Sequence, residues 1–318
     1  MPAARRTVRA RIFGVTFELE GEGEWKGLLD RYRQYFADGE WNELPAVRLV
    51  VGAESCRVSV GDHCESIILD PIWPSLETVI RTLVIACRRE WRFVHASGVC
   101  DEEGAVLFVG PSTSGKSTLA MAIQERGYRL LADDLTPLSL AHGKVFPYQT
   151  GQSLRPFTQA LATERDWAHG YPQSIEPLEK IGADVRAVFF LKSHAAVSGR
   201  PVLDASGTNI VAWRKICRLV NWPEASFGRP FDSFPSPCHP EDFAKEPDVA
   251  PCPTSEAIRY LFNHLHPPHP PLKALLPEAS HFFAKVRFFN LRVGHLDQTI
   301  EEVLRILRGL SPCNVPGD

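Results

Sequence analysis

Apolar and polar residues alternate at a spacing of two through the start of the chain. The runs are Val8-Arg-Ala-Arg-Ile-Phe13, Val47-Arg-Leu-Val-Val51, Arg57-Val-Ser-Val60 and Ser66-Ile-Ile-Leu69. Such alternation sends successive side chains to opposite faces of a strand. Residues 1–75 therefore predict a small β-rich lobe, with one helix near residues 25–36. Its aromatic residues (Phe13, Phe17, Trp25, Tyr32, Tyr35, Phe36 and Trp41) read as core; a substrate-binding lobe is the sharper alternative. The spacing then lengthens. Leu76 to Trp91 predicts an amphipathic helix with Val79, Leu83, Ala86 and Cys87 on one face. Continuous apolar runs follow, at Ala105–Val109 and in Arg186-Ala-Val-Phe-Phe-Leu-Lys192, the pattern of strands covered on both faces. Val94–Val99 and Ala105–Val109 predict a hairpin around Cys100–Gly104. Thr136–Leu140 and Lys144–Pro147 predict a second hairpin around His142-Gly143. Tyr128–Ala132 reads as a short strand, and the last periodic segment, beyond Phe289-Asn-Leu-Arg-Val-Gly294, as an amphipathic final helix.

Proline interrupts these patterns between residues 221 and 277, which hold 13 of the chain's 26 prolines, including Pro267-Pro-His-Pro-Pro271. Each removes a backbone donor and fixes φ, so little regular structure is expected there beyond a helix near Thr254–Leu265. The segment reads as a loop or lid over an acceptor site, or as a bland insertion. The expected organisation is a β-rich lobe over 1–90 and a catalytic domain over 91–318 that carries the proline-rich 221–277.

Composition narrows the function. The 318 residues are 44% hydrophobic and 23% charged, ordinary for a globular protein, and the net charge of −3 favours neither nucleic acid nor an anionic membrane as partner. No apolar run approaches the roughly 18 residues that span a bilayer, and the basic start Met1–Arg9 lacks an apolar stretch, so a cytoplasmic protein is expected. Eight scattered cysteines without a C-x-x-C pair fit reduced thiols. Cys56 and Cys64 flank Gly61-Asp-His63; a hairpin clip or a metal site with His63 is the lesser alternative to ordinary reduced thiols. Cys238, Cys252 and the histidines at 239, 264, 266 and 269 fit no compact metal pattern.

The sharpest chemistry lies in Gly110-Pro-Ser-Thr-Ser-Gly-Lys-Ser117. It fits the phosphate-binding pattern G-x-x-x-x-G-K-[ST], with the strand 104–109 before it and a helical segment from Thr118 to a Gly127 stop. Backbone N–H groups of Gly110, Ser112, Thr113, Ser114, Gly115, Lys116, Ser117 and Thr118 would surround an anion at a helix N-terminus. Lys116 would reach the outer phosphates, and Ser117 would place its hydroxyl on Mg²⁺. A chance glycine-rich loop is the alternative; strand, lysine, serine and helix in register argue against it. Asp133-Asp134 closes the next short strand, 17 positions after Lys116. Adjacent carboxylates repel in a site of low dielectric unless a metal or shared proton relieves them. One can hold Mg²⁺ while the other accepts a proton from an attacking hydroxyl. The alternative is a solvated turn. His95, in Phe93-Val-His-Ala-Ser-Gly-Val99, is placed by the predicted hairpin near the loop end of its partner strand; on its own it would read as a core histidine.

His95, Lys116 21 positions later and Asp133-Asp134 17 beyond that resemble the catalytic domain of the HPr serine kinase/phosphorylase family. The likeness is carried by H-A-S-G-V, G-P-S-x-S-G-K-S-T-L-A and G-Y-x-L-L-A-D-D within residues 93–138. It is nearest to the HPr-kinase-related proteins of bacterial biosynthetic clusters, with phosphoenolpyruvate carboxykinase a more distant relative. The resemblance implies an α/β fold: an HPr-kinase/PEP-carboxykinase-like P-loop core with a small β-rich N-terminal lobe. It implies transfer of phosphate from ATP or another nucleoside triphosphate, with Mg²⁺, to a serine-type hydroxyl. Lys116 and the loop would hold the phosphates, Ser117 and one of the two aspartates the metal, and the other aspartate would be the base; the resemblance leaves the assignment open, with Asp133 preferred for the metal and Asp134 for the base. His95 would position acceptor or phosphate. Arg155, after Ser153-Leu, would contact phosphate or substrate; a surface arginine is the alternative. The bifunctional enzymes' later signature Glu-x-Arg-Gly-x-Gly has no match, so phosphorylase activity and the HPr substrate are not carried over. The resemblance to peptide-tailoring kinases, including those of lasso-peptide clusters, makes a precursor-peptide serine the first acceptor, ahead of a small-molecule alcohol. A nucleotide-binding regulator without turnover is the alternative from another class. The sequence leaves open ATP against GTP and whether the chain forms a homo-oligomer.

Overall fold

The computed structural model describes residues 6–21, 46–52, 54–69, 76–148, 156–165, 182–194, 207–227 and 240–310. Seven α-helices, one 3-10 turn and two β-sheets lie among them, a mixed α/β architecture. The chain divides into two compact units. The first comprises Met1–Glu90, Leu203–Gly228 and Pro267–Pro271; the second comprises Trp91–Val202, Arg229–His266 and Leu272–Asp318. No helix among the described residues is long and apolar enough to cross a membrane.

The first unit is built on a five-stranded sheet of β1 (Arg6–Ile12), β2 (Val15–Gly21), β3 (Val47–Val51), β4 (Ser55–Val60) and β5 (His63–Ile68), in sequence order. All pairings are antiparallel except β2 with β3. Val15, Phe17 and Leu19 are buried together in β2, a strand that the periodic reading omits. Thr16 and Glu18 between them are buried too, and Glu18 is held by Arg9 and Arg48 at 2.7 and 2.8 Å. Helix α1 (Leu76–Cys87) is shorter than the expected span to Trp91; its last turn is followed by the charged Arg88-Arg89-Glu90. The helix expected near residues 25–36 lies outside the described residues. Cys56 and Cys64 do not meet. Cys56 is opposite Ile67 and buried, while Cys64 is opposite Ser59 and exposed, so the two thiols leave opposite faces of the sheet. No clip forms, and no cluster of three or more metal-ligating side chains occurs among the described residues. Cys238 and His239 lie outside them.

The second unit holds a nine-stranded sheet. Its strands are β6 (Arg92–Val94), β7 (Ala96–Cys100), β8 (Ala105–Val109), β9 (Arg129–Ala132), β10 (Thr136–Ser139), β11 (Lys144–Val145), β12 (Ala183–Lys192), β13 (Asp248–Pro251) and β14 (Arg287–Arg292). β12 runs parallel to both β8 and β14 at its centre. Both faces of this centre are covered, which is why its sequence is apolar without alternation. Leu107, Val109, Val188 and Phe190 pack on one face against α5 (Thr254–Asn263) and α6 (Leu272–Lys285). Val106, Phe108, Phe189 and Leu191 pack on the other against α2 (Lys116–Gln124) and α7 (Leu296–Gly309). Helix α3 (Pro156–Glu164) and, in the first unit, α4 (Gly207–Leu219) complete the set. Both predicted hairpins form, β7–β8 and β10–β11.

The proline-rich stretch is more regular than proline content alone suggests. Besides α5 it holds the 3-10 turn Pro240–Ala244, β13 and the first turns of α6, with Pro277 inside that helix. A proline there forfeits one intrahelical bond. Burial of Leu275, Ala279 and Phe282 on the same helix outweighs that loss.

Candidate functional site

The site forms where β8 ends. Gly110 follows the last paired residue, and a Cβ there would lie 2.6 Å from Ser114 Oγ and 3.1 Å from Leu191 Cβ. Only glycine lets the loop close this tightly. The loop then uses positive φ twice, at Thr113 (69°) and Gly115 (90°), the residue that caps α2. For a β-branched threonine that conformation is strained. Ser112 and Thr113 are exposed. Ser114 is fully buried, with its hydroxyl unpartnered, in the heart of the loop. Lys116 is 6% exposed and folds its ammonium back, donating to Gly110 O at 3.0 Å and Pro111 O at 2.9 Å. An α-helix leaves its first N–H groups without intrahelical acceptors and carries partial positive charge there. Ammonium and helix end together make this loop electropositive. Thr118 shares a hydrogen bond of 2.9 Å with Thr158 of α3.

The carboxylates come from the neighbouring strands. β7 runs antiparallel to β8 with Ala96 opposite Val109, so His95 stands beside the start of the loop. β9 pairs with the other edge of β7, and Asp133 follows its last residue, Ala132. Asp133 Oδ1 accepts hydrogen bonds from Ser97 Oγ at 2.5 Å and from Ser117 Oγ at 2.8 Å. Ser117 is thus tied across the loop to the aspartate that its spacing suggested. Asp134 points elsewhere, with Oδ1 2.8 Å from His95 Nε2. The two carboxylates diverge because the backbone turns between them: Leu135 N donates to Asp133 O at 2.8 Å, and Asp134 takes φ 66°. This is a three-residue γ-turn with positive φ, a rare and strained form.

Burial lowers the pKa of His95 most, and the nearby charge of Lys116 lowers it further; Asp134 and Asp133 pull it back up. The net shift is downward, so the imidazole is neutral at pH 7 and its Nε2–H donates to Asp134. His95, Lys116, Ser117, Asp133 and Asp134 therefore converge at one strand end, whereas Arg155 lies outside the described residues. Two side chains were missed by the sequence reading. Ser97 lies in β7, two residues after His95, within the same short run of sequence. His266 donates from Nε2 to the Asp134 carbonyl at 2.8 Å, from a position 132 residues away that no local pattern marks. No protein-family model matches the chain, and no curated protein matches it.

Proposed function

We propose that the second unit is a kinase of the HPr-kinase-like, P-loop type, moving the terminal phosphoryl group of ATP or a related nucleotide to a serine-type hydroxyl. One observation carries this reading: a lysine-bearing loop at a helix N-terminus faces two adjacent carboxylates held apart by different partners. The loop and Lys116 would bind the phosphates. Ser117 Oγ and Asp133 Oδ1, hard oxygen donors 2.8 Å apart, fit the ligand chemistry of Mg²⁺. When bound, that ion would neutralise charge on the phosphate oxygens.

Asp134 is the better base of the pair. Asp133 already accepts two hydroxyls, whereas the Asp134 side chain is 45% exposed and can face an incoming acceptor. Asp134 would take the acceptor's proton as the acceptor oxygen forms its bond to phosphorus. The bond to the bridging oxygen breaks in the same displacement, and the diphosphate leaves. His95, neutral, holds the carboxylate in place through Nε2–H. Charge neutralisation and positioning supply most of the rate in phosphoryl transfer.

Nothing in the loop or the aspartate pair recognises an acceptor, so the precursor-peptide serine rests on the sequence resemblance. The test is transfer of labelled phosphate from Mg²⁺·ATP to a panel of serine peptides and small alcohols, read by mass spectrometry, with Lys116→Met as control. Transfer to any acceptor that vanishes in the control supports the reading. ATP binding with no transfer and no hydrolysis would instead indicate a nucleotide-binding regulator.

A further inference from the structure

We propose that His266 is a positioning residue of this site, holding the strained turn that aims Asp134. The inference rests on the reading of Asp134 as the base. Residues 264–266 add to the edge of β6 as a short antiparallel bridge, with Val94 opposite Leu265. His266 N donates to Phe93 O and His95 N donates to His264 O, each at 2.7 Å. The segment that carries His266 is therefore hydrogen-bonded to the backbone of His95 itself. From there the His266 ring donates Nε2–H to the Asp134 carbonyl at 2.8 Å, while the His95 ring meets the Asp134 carboxylate at 2.8 Å. The two ring centroids are 5.5 Å apart.

Asp134 is thus gripped at both ends, by two histidines on paired backbone segments. The grip has a physical purpose. A residue at φ 66° relaxes toward negative φ unless its surroundings hold it. Relaxation would rotate the carbonyl away from His266 and swing the carboxylate off His95. The His266 bond to the main-chain carbonyl opposes that motion, so its loss should lower turnover and leave nucleotide affinity alone.

The experiment compares His266→Gln, whose amide can still donate to the carbonyl, with His266→Phe, which keeps a ring and removes the donor. Four readouts are taken on the full chain: ATP turnover with water as acceptor, the KM for ATP, the thermal denaturation midpoint, and the ring N–H proton of His95 by NMR. That proton is assigned by its loss in His95→Gln. The expected result is turnover within threefold of wild type for Gln. For Phe, kcat falls 10- to 100-fold at unchanged KM, and the His95 proton signal is lost. Wild-type turnover and signal in the Phe variant would overturn the proposal. So would equal losses of stability and turnover in both variants, since packing would then be the role of His266. If wild type neither binds nor hydrolyses ATP while the His95 signal still follows the donor at 266, the kinase reading fails and the positioning role stands.

Discussion

Replacing Lys116 by methionine separates the two tasks of the loop lysine. In the fold its ammonium is buried and bonded to Gly110 O and Pro111 O. The lysine is therefore part of the loop's structure as well as the proposed ligand for phosphate. Losing two hydrogen bonds from a charged donor costs about 3–6 kcal/mol, at about 1.5–3 each. Against this, the variant no longer buries an ammonium, whose desolvation costs several kcal/mol. Methionine also retains most of the apolar stem. The two large terms oppose, so the net loss should be about 1–2 kcal/mol, or about 2–8 °C in Tm for a unit of this size. The loss in transfer should be far larger. In the proposed transition state the same ammonium would face phosphate oxygens carrying developed charge, where removing one such contact costs about 2.7–4 kcal/mol, or about 100- to 1000-fold in kcat. Thermal melts, ATP calorimetry and phosphate-transfer rates on one preparation give all three quantities. Turnover within threefold of wild type would remove Lys116 from the mechanism. Collapse of the fold would mean that the carbonyl contacts dominate and that the loop is primarily structural.

Four further outcomes follow from the carboxylates and the histidine. Asp133→Asn should weaken the Mg²⁺ dependence of ATP binding. Asp134→Asn should keep binding within about threefold and lower kcat by about 10²–10⁴, the range of general-base catalysis; calorimetry with and without Mg²⁺ decides, and wild-type activity in both sinks the paired-carboxylate scheme. Asp134→Gly should be more stable than Asp134→Ala by about 1 kcal/mol, because both lack the carboxylate and only glycine takes positive φ without strain; equal denaturation midpoints would refute it. Because the His95 pKa is lowered from 6.5 by burial and Lys116, the unfolded chain binds a proton that the native site refuses. Stability should therefore rise with pH up to about 6.5 and be lost as pH falls below it, a slope that His95→Gln should flatten in urea titrations across pH 5–7.

What was legible in the chain was local. The loop, its strand and its helix lie within residues 104–127, and the hairpin that carries His95 closes over a four-residue turn, so short-range pattern suffices for both. Asp133 and Asp134 were readable for the same reason: they end the strand after that helix. Long-range facts were not readable. That the helix Gly207–Leu219 groups with the N-terminal sheet is set by packing across more than a hundred residues. Pro277 shows a local rule overruled by burial, since a breaker sits inside a helix whose neighbours fill the core. The strand Val15–Gly21 is a different case, because Val15, Phe17 and Leu19 do alternate with polar residues; the burial of Thr16 and Glu18 then reflects partners that the run itself cannot show. His266 lay in a proline-rich stretch where sequence gives only the expectation of irregular backbone.

The arrangement of the two aspartates explains why the site needs that distant segment. Adjacent residues in an extended strand send their side chains to opposite faces, which would place one carboxylate beneath the sheet and away from the loop. Adjacent residues in a helix lie about 100° apart, and a shared site would then force two charges together. A γ-turn with positive φ does neither. It brings both carboxylates to the strand end, one onto Ser97 and Ser117 and the other onto His95. The cost is backbone strain of about 1–3 kcal/mol. The compensating contact comes from outside, through the His266 donor and the bridge that ties its segment to His95. The loop and the aspartate pair are therefore set by neighbouring sequence, whereas the angle between the carboxylates depends on contacts that only the folded unit supplies.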